Sequence, residues 1–141
     1  MSTERRAQGF SLVEILLVLA ILGIISAIAI PSFLGQRRRA RVIGDAMSNA
    51  KVLQMELESR KADAGVYGAA GTYSWTADGS ATTGPALIST FQPSGASKMN
   101  YSVLIANGGL TYTLTVTDPS IGSGVTAYQT DQNGKELARL H

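Results

Sequence analysis

The 141-residue sequence predicts an α+β fold, in which a long N-terminal α-helix packs against a C-terminal antiparallel β-meander of about four strands. Three patterns indicate this fold. Residues 10–34 form an almost uninterrupted apolar run, apolar side chains then recur every three or four positions over 43–57, and alternating strand-like segments follow residue 99. The predicted helix is therefore membrane-spanning in its first half and amphipathic in its second half.

The apolar run, FSLVEILLVLAILGIISAIAIPSFL, is long enough to cross a membrane. As a helix it would extend about 37 Å, and the hydrocarbon core of a bilayer is about 30 Å thick. Gly23 and Pro31 are its only residues that weaken a helix. Its only charged residue is Glu14, near the start.

Glu14 separates two interpretations of this segment. In the first, the segment is an ordinary secretory signal, with Arg5 and Arg6 as its basic start and cleavage after Ala29, and the product is a secreted or membrane-anchored binding domain. A carboxylate in a membrane helix raises the free energy of insertion by about 2.5–3.5 kcal/mol. A signal peptide that is removed after export gains nothing from this cost. In the second, Glu14 has a cationic partner; because the span has no Lys or Arg, the candidate is a new α-amino group made by cutting before Phe10.

The sequence G-FSLVE, preceded by a short charged leader and followed by the apolar run, resembles the type III signal of type IV pilins and type II secretion pseudopilins. Pro31 also lies where many members of that family carry a proline. The resemblance implies cleavage between Gly9 and Phe10 by a prepilin peptidase, and methylation of the new Phe10 amine by the same peptidase/methyltransferase. It further implies that Glu14 neutralises the Phe10 amine of a neighbouring subunit and so sets the register of assembly.

The function that the resemblance implies is that of a structural subunit, not an enzyme, in a type IV pilus-like filament. The precursor would lie in the bacterial inner membrane as a single-pass protein with its C-terminal domain outside, and then enter a cell-surface pilus. The alternative is a pseudopilin of a type II secretion system, in a periplasmic pseudopilus. Implied partners are further copies, minor pilins or pseudopilins, an assembly ATPase and a platform protein. Gly23 and Pro31 would allow local unwinding of the helix during assembly.

The basic cluster directly after the span, RRRAR, comprises Arg37, Arg38, Arg39 and Arg41. The positive-inside rule would place this basic collar in the cytoplasm. The resemblance implies the opposite orientation, since the leader must reach a cytoplasm-facing peptidase. Two interpretations stay open: the arginines contact lipid head groups before assembly and acidic side chains of neighbours afterwards, or they form a solvated collar. No nucleic-acid partner is expected.

The predicted organisation has five parts: a cleaved leader 1–9, the transmembrane and assembly helix 10–34, an amphipathic helix 35–63, a connecting loop 64–98 and the sheet 99–141. The loop is rich in Gly, Ala, Ser and Thr, and its aromatic residues Tyr67, Tyr73 and Trp75 either pin it to the core or touch neighbours. The predicted core positions of the helix are Ile43, Ala46, Met47, Ala50, Leu53 and Leu57, and those of the central strand are Leu110, Tyr112, Leu114 and Val116.

Residues suited to catalysis or metal binding are scarce. The chain has no cysteine, and its one histidine, His141, has no companion at a metal-ligand spacing. Asp131, Asn133 and Glu136 lack the repeated ligands of a calcium loop and fit a hairpin turn better. We therefore expect neither a cofactor nor a metal.

Overall fold

A computed structural model describes residues 9–80, 82–93, 95 and 98–140. The predicted leader, apart from Gly9, and His141 lie outside these residues. The described chain forms two compact units, which divide between Arg37 and Arg38.

The N-terminal unit is helical. Helix α1 runs from Leu12 to Ala64, and its first turn opens with hydrogen bonds from the Glu14 and Ile15 amides to the Ser11 carbonyl, at 3.0 and 3.3 Å. Every residue of this unit from Gly9 to Arg37 is exposed. By length and composition, α1 can cross a membrane.

The C-terminal unit combines the part of α1 that follows Arg37 with a five-stranded antiparallel sheet. The strands pair in chain order: β1 (Gly71–Trp75), β2 (Asn100–Ala106), β3 (Thr111–Thr117), β4 (Thr126–Asp131) and β5 (Glu136–Arg139). A helix on a consecutive antiparallel sheet is the predicted α+β architecture, which the structure confirms. The predicted hairpin at Asn107–Gly109 joins β2 to β3, with Gly108 at φ 65° and Gly109 at φ 93°.

The core lies between α1 and the inner face of the sheet. Its most enclosed members are Ala46, Ala50, Leu53 and Leu57 on α1, with Val103, Ile105, Leu114, Val116 and Ala127 on the strands. Two buried hydrogen bonds tie the helix to the sheet: Asn49 Nδ2 donates to the Tyr101 hydroxyl at 2.9 Å, and Gln54 Nε2 donates to Thr130 Oγ1 at 3.2 Å. Because each buried polar group needs its partner, these bonds fix the register of α1 on the sheet.

Two predicted core positions, Ile43 and Leu110, are wrong. Ile43 is only half-buried, whereas Val42, one residue earlier, is buried and continues the spacing of Ala46 and Ala50. Met47 is partly buried and packs against the core. Leu110 is 55% exposed, because it belongs to the end of the hairpin turn and β3 starts after it.

The predicted connecting loop contains a strand. β1 pairs with β2, placing Tyr73 beside Val103 and Trp75 beside Tyr101, so the sheet has five strands and not about four. Tyr67 and Trp75 are buried and pin this segment to the core, while Tyr73 is half-buried against it.

Aromatic edge-to-face contacts hold the segment that follows β1. The ring of Phe91 lies 5.3 Å from those of both Trp75 and Tyr101. Gly84 lies directly on the indole of Trp75, where a Cβ atom would overlap the ring. Any larger residue at position 84 would therefore displace Trp75 from the core.

Leu53→Ala tests the helix–sheet core. Leu53 is fully buried, so the substitution should lower the free energy of unfolding by about 2–5 kcal/mol. The matched control on the same helix is Met55→Ala, at a position 72% exposed, which should change it by no more than about 0.5 kcal/mol. Urea unfolding of the full chain in detergent, followed by far-UV circular dichroism, measures both; equal losses would contradict the assigned core face.

Alkaline pH should destabilise the C-terminal unit through its buried tyrosines. Burial raises the pKa of Tyr67 to about 12, and the hydrogen bond to Glu58 and the negative charge of Glu58 raise it further in the same direction. Burial also raises the pKa of Tyr101 to about 12. The pKa of a tyrosine in the unfolded chain is about 10, and below that pH the raised pKa in the folded state costs no stability. As the pH rises from 10 through the folded pKa, the unfolded chain ionises more readily than the folded chain, and the free energy of unfolding falls. Unfolding midpoints measured from pH 9 to 12.5 should fall steeply above pH 10, and less steeply in Tyr101→Phe.

Candidate membrane and assembly segment

The site predicted from the sequence lies at the start of α1. Gly9 and Phe10 precede the helix, and the Phe10 side chain is 83% exposed. Glu14 lies in the first helical turn, where the helix dipole favours a carboxylate. No lysine or arginine occurs between Phe10 and Gln36, so the segment itself supplies no cation for Glu14.

The apolar side chains of this segment project in all directions. Exposed fractions are 74% for Leu12, 59% for Leu19, 57% for Ile25 and 60% for Phe33. An apolar surface that surrounds a helix is typical of a helix covered by lipid or by other helices. Among the described residues these apolar side chains are exposed, so the segment requires a cover of lipid or of other helices.

The helix continues through both positions where unwinding is predicted. Pro31 lies inside α1, and a Cβ atom at Gly23 would meet nothing within 4 Å, so no contact inside the chain requires a glycine there. Proline has no amide hydrogen to donate to the carbonyl of Ala27 one turn earlier, which leaves the helix weaker at this level. Unwinding at Gly23 and Pro31 stays a prediction.

The four arginines of the predicted collar do not all make the same contacts. The Arg37 guanidinium lies 5.9 Å from the centre of the Phe33 ring. Arg38 Nη2 donates to the Ser120 carbonyl at 3.2 Å, in the turn between β3 and β4. That turn is held by Asp118, which is buried and accepts the Ser120 amide at 2.7 Å.

All four arginines of the collar are exposed. Arg38 thus fastens a turn to the helix, a role that sequence patterns did not indicate because its acceptor is a backbone carbonyl 82 residues away.

The acidic turn after β4 is a hairpin, as predicted. Asp131 Oδ1 accepts the amides of Asn133 and Lys135, each at 2.9 Å, so this carboxylate is used in the turn. Among the residues that the structure describes, no group of three or more His, Cys, Asp or Glu side chains could hold a metal ion.

Comparison with known proteins yields a match to one family model and similarity to curated relatives. Residues 5–30 match the model of the prokaryotic N-terminal methylation motif. The chain is 35% identical to the type II secretion system core protein G of Dickeya chrysanthemi over 60 residues, which cover 43% of the chain and 39% of that protein. It is 50% identical to the type IV wide pilus major component PilA4 of Thermus thermophilus over 36 residues, 26% of the chain and 28% of that protein.

The chain thus covers well under half the length of both relatives. No solved structure matches it significantly. The methylation motif coincides with Gly9, Phe10 and Glu14, and the described fold joins a long N-terminal helix to an antiparallel sheet. By this motif and these two relatives, the chain is similar over part of its length to type IV pilins and type II secretion pseudopilins.

Proposed function

We propose that this protein is a structural subunit of a type IV pilus-like filament. The observation that carries the proposal is an apolar helix that is exposed on all sides, with one carboxylate, Glu14, four residues after Phe10. The precursor is inserted in the inner membrane, cut before Phe10, methylated on the new amine and polymerised through the helix. Residues 5–30 match the methylation motif, which supports this processing.

The physics of the segment favours assembly over permanent residence in lipid. Lipid covers the apolar side chains, but it leaves Glu14 without a counter-ion. Cleavage creates a cationic amine at Phe10 at a similar depth, and a second copy brings that amine to Glu14. A copy that docked out of step would leave both charges unpaired in an apolar surrounding, which makes Glu14 the residue that sets register.

The proposed partners follow from what the chain lacks. It has no feature of a nucleotide-binding or proteolytic site, so cleavage, methylation and mechanical work come from a prepilin peptidase/methyltransferase, an assembly ATPase and a platform protein. The proposed location is the inner membrane before assembly, with the C-terminal unit outside, and the cell surface afterwards.

The second candidate is a pseudopilin of a type II secretion system. The longer of the two alignments favours it, because 60 residues align with a core protein of such a system. The higher identity, 50%, is to a pilus component. The location of the assembled protein separates the two: sheared surface material for a pilus, and periplasm for a pseudopilus.

Processing is the first test. The mature protein should begin at Phe10 and carry one additional methyl group, as measured by intact mass and N-terminal sequencing of membranes and of sheared surface material. Gly9→Leu, which places a bulky residue before the cut, should leave the precursor intact in the membrane. A mature chain that begins at Ile30 would mean an ordinary signal peptide and would overturn the proposal.

Glu14→Ala tests the register role. The variant should insert and be cleaved like the natural chain, because it removes a polar group from the span. Its filaments should fall by about tenfold or more, since each 1.4 kcal/mol of lost pairing changes an equilibrium tenfold. Immunoblots of sheared and membrane fractions give the ratio, and Glu14→Asp, which keeps the charge, is the control. Normal filaments from Glu14→Ala would show that the carboxylate does not direct assembly.

A further inference from the structure

A cleft of about 550 Å³ opens at one end of the sheet, where β1 ends, β2 begins and the turn after β3 starts. The pairing of Trp75 with Tyr101 and of Asn100 with Thr117 brings these three parts of the chain together. Polar side chains dominate the lining, which includes Thr76, Asp78, Ser80, Lys98, Asn100 and Ser120. We call this feature the sheet-end cleft, and the proposed filament gives it no role.

The sheet-end cleft holds two opposite charges that are not paired with each other. Lys98 and Asp78 both line it, yet within the described ranges their charged atoms do not approach to 4.0 Å, the limit of an ion pair. The Ser80 amide and hydroxyl donate to Asp78 Oδ1 at 3.0 and 2.8 Å and lower the pKa of this carboxyl group, which is therefore ionised at neutral pH. A cation and an anion that share a cleft without touching suit a ligand that carries both charges.

Asn100 adds a hydrogen-bond donor to the lining. Its Oδ1 atom accepts the Ala77 amide at 2.8 Å, which fixes the orientation of the side-chain amide and leaves the Nδ2 group to donate. Donors of this kind, together with the ammonium of Lys98, are the groups that bind phosphate oxygens.

The chain keeps the sheet-end cleft within reach of the membrane surface. Arg38 Nη2 donates to the carbonyl of Ser120 at 3.2 Å, and Ser120 lines the cleft. Arg38 comes four residues after Leu34, the end of the apolar segment. Four residues extend about 6 Å as a helix and at most about 14 Å in any conformation, whereas the head-group layer on each side of a bilayer is about 5–7.5 Å thick. With Leu34 at the edge of the hydrocarbon, Ser120 therefore lies close to the head groups.

We propose that the sheet-end cleft binds the head group of a membrane phospholipid that carries both a phosphate and an ammonium, as phosphatidylethanolamine does. Lys98 and the Nδ2 group of Asn100 bind the phosphate, and the carboxylate of Asp78 accepts a hydrogen bond from the ammonium. This inference rests on the membrane-inserted precursor of the proposed function. The bound lipid holds the C-terminal unit at the membrane surface until the subunit is extracted for assembly.

The two charges favour this ligand over a simple anion. An inorganic phosphate or an acidic peptide would bring a second negative charge beside Asp78, with nothing to balance it. The quaternary ammonium of phosphatidylcholine has no N–H group and cannot donate to Asp78. A lipid is favoured over a soluble compound because the anchoring membrane presents it to the cleft at a high effective concentration.

A titration of the isotope-labelled full chain in decyl maltoside micelles with dihexanoyl phosphatidylethanolamine tests the inference. The amide signals of Ala77, Asn100 and Ser120 should shift and saturate; no shift would overturn the inference. Lys98→Ala should weaken the apparent affinity by about tenfold or more, since it removes the charge that binds the phosphate. Lys135→Ala is the matched control. It removes the same charge from an exposed position in the turn after β4, at the other end of the strands, and should leave the affinity unchanged.

Asp78→Asn tests the two-charge ligand through the sign of its effect. The amide keeps an oxygen for Ser80 but loses the charge that pairs with the ammonium, so the affinity should fall by about tenfold or more. Tighter binding by this variant would mean that Asp78 only repels a phosphate, and it would overturn the inference. Dihexanoyl phosphatidylcholine should bind the natural chain about tenfold more weakly than the ethanolamine lipid, and equal binding would have the same consequence.

Two further outcomes separate the source of the head group and the proposed function from this inference. Water-soluble glycerophosphoethanolamine at the same concentration should leave the amide signals in place; equal shifts would overturn the lipid as the ligand. A chain that is cut before Phe10 and forms sheared filaments, but shows no shift with the lipid, overturns the inference alone. A mature chain that begins at Ile30 refutes the proposed function, and the inference with it, because the cleft would then have no membrane beside it.

Discussion

The exposed apolar surface of residues 12–34 is the constraint on which the rest of the molecule depends. Water around so many Leu, Ile and Val side chains is costly, at roughly 25 cal/mol per Å² of apolar surface, so the segment is stable only in lipid or among other helices. Apolar burial has no direction, however, and it does not select one alignment of two similar helices. A directional contact has to do that, and Glu14 is the only charged side chain in the segment that could provide one.

The C-terminal unit meets a different demand, because it must hold its own helix firmly without a disulfide. It does so with a single apolar core and with two buried hydrogen bonds from the helix to the sheet, Asn49 to Tyr101 and Gln54 to Thr130. Apolar packing alone would tolerate a small rotation of the helix, whereas the buried amides would lose their partners. The rotation of α1 is therefore fixed, and so is the side of the helix that carries Val52 and Met55 outward.

Sequence patterns predicted the elements that follow a simple period and missed those that depend on tertiary context. Tyr112, Leu114 and Val116 alternate with threonines and were assigned to the inner face correctly. β1 was missed because it begins with Gly71 in a Gly/Ala-rich stretch and is recognisable only through its pairing with β2. Ile43 was assigned to the core on a three-to-four spacing that runs through Met47, but the buried positions 42, 46, 50, 53 and 57 follow the same kind of spacing from one residue earlier.

At the candidate site, the motif around Gly9, Phe10 and Glu14 could be predicted because its residues are neighbours in the sequence. The hydrogen bond from Arg38 to the Ser120 carbonyl could not be predicted, because the two residues are 82 positions apart and meet only in the folded chain.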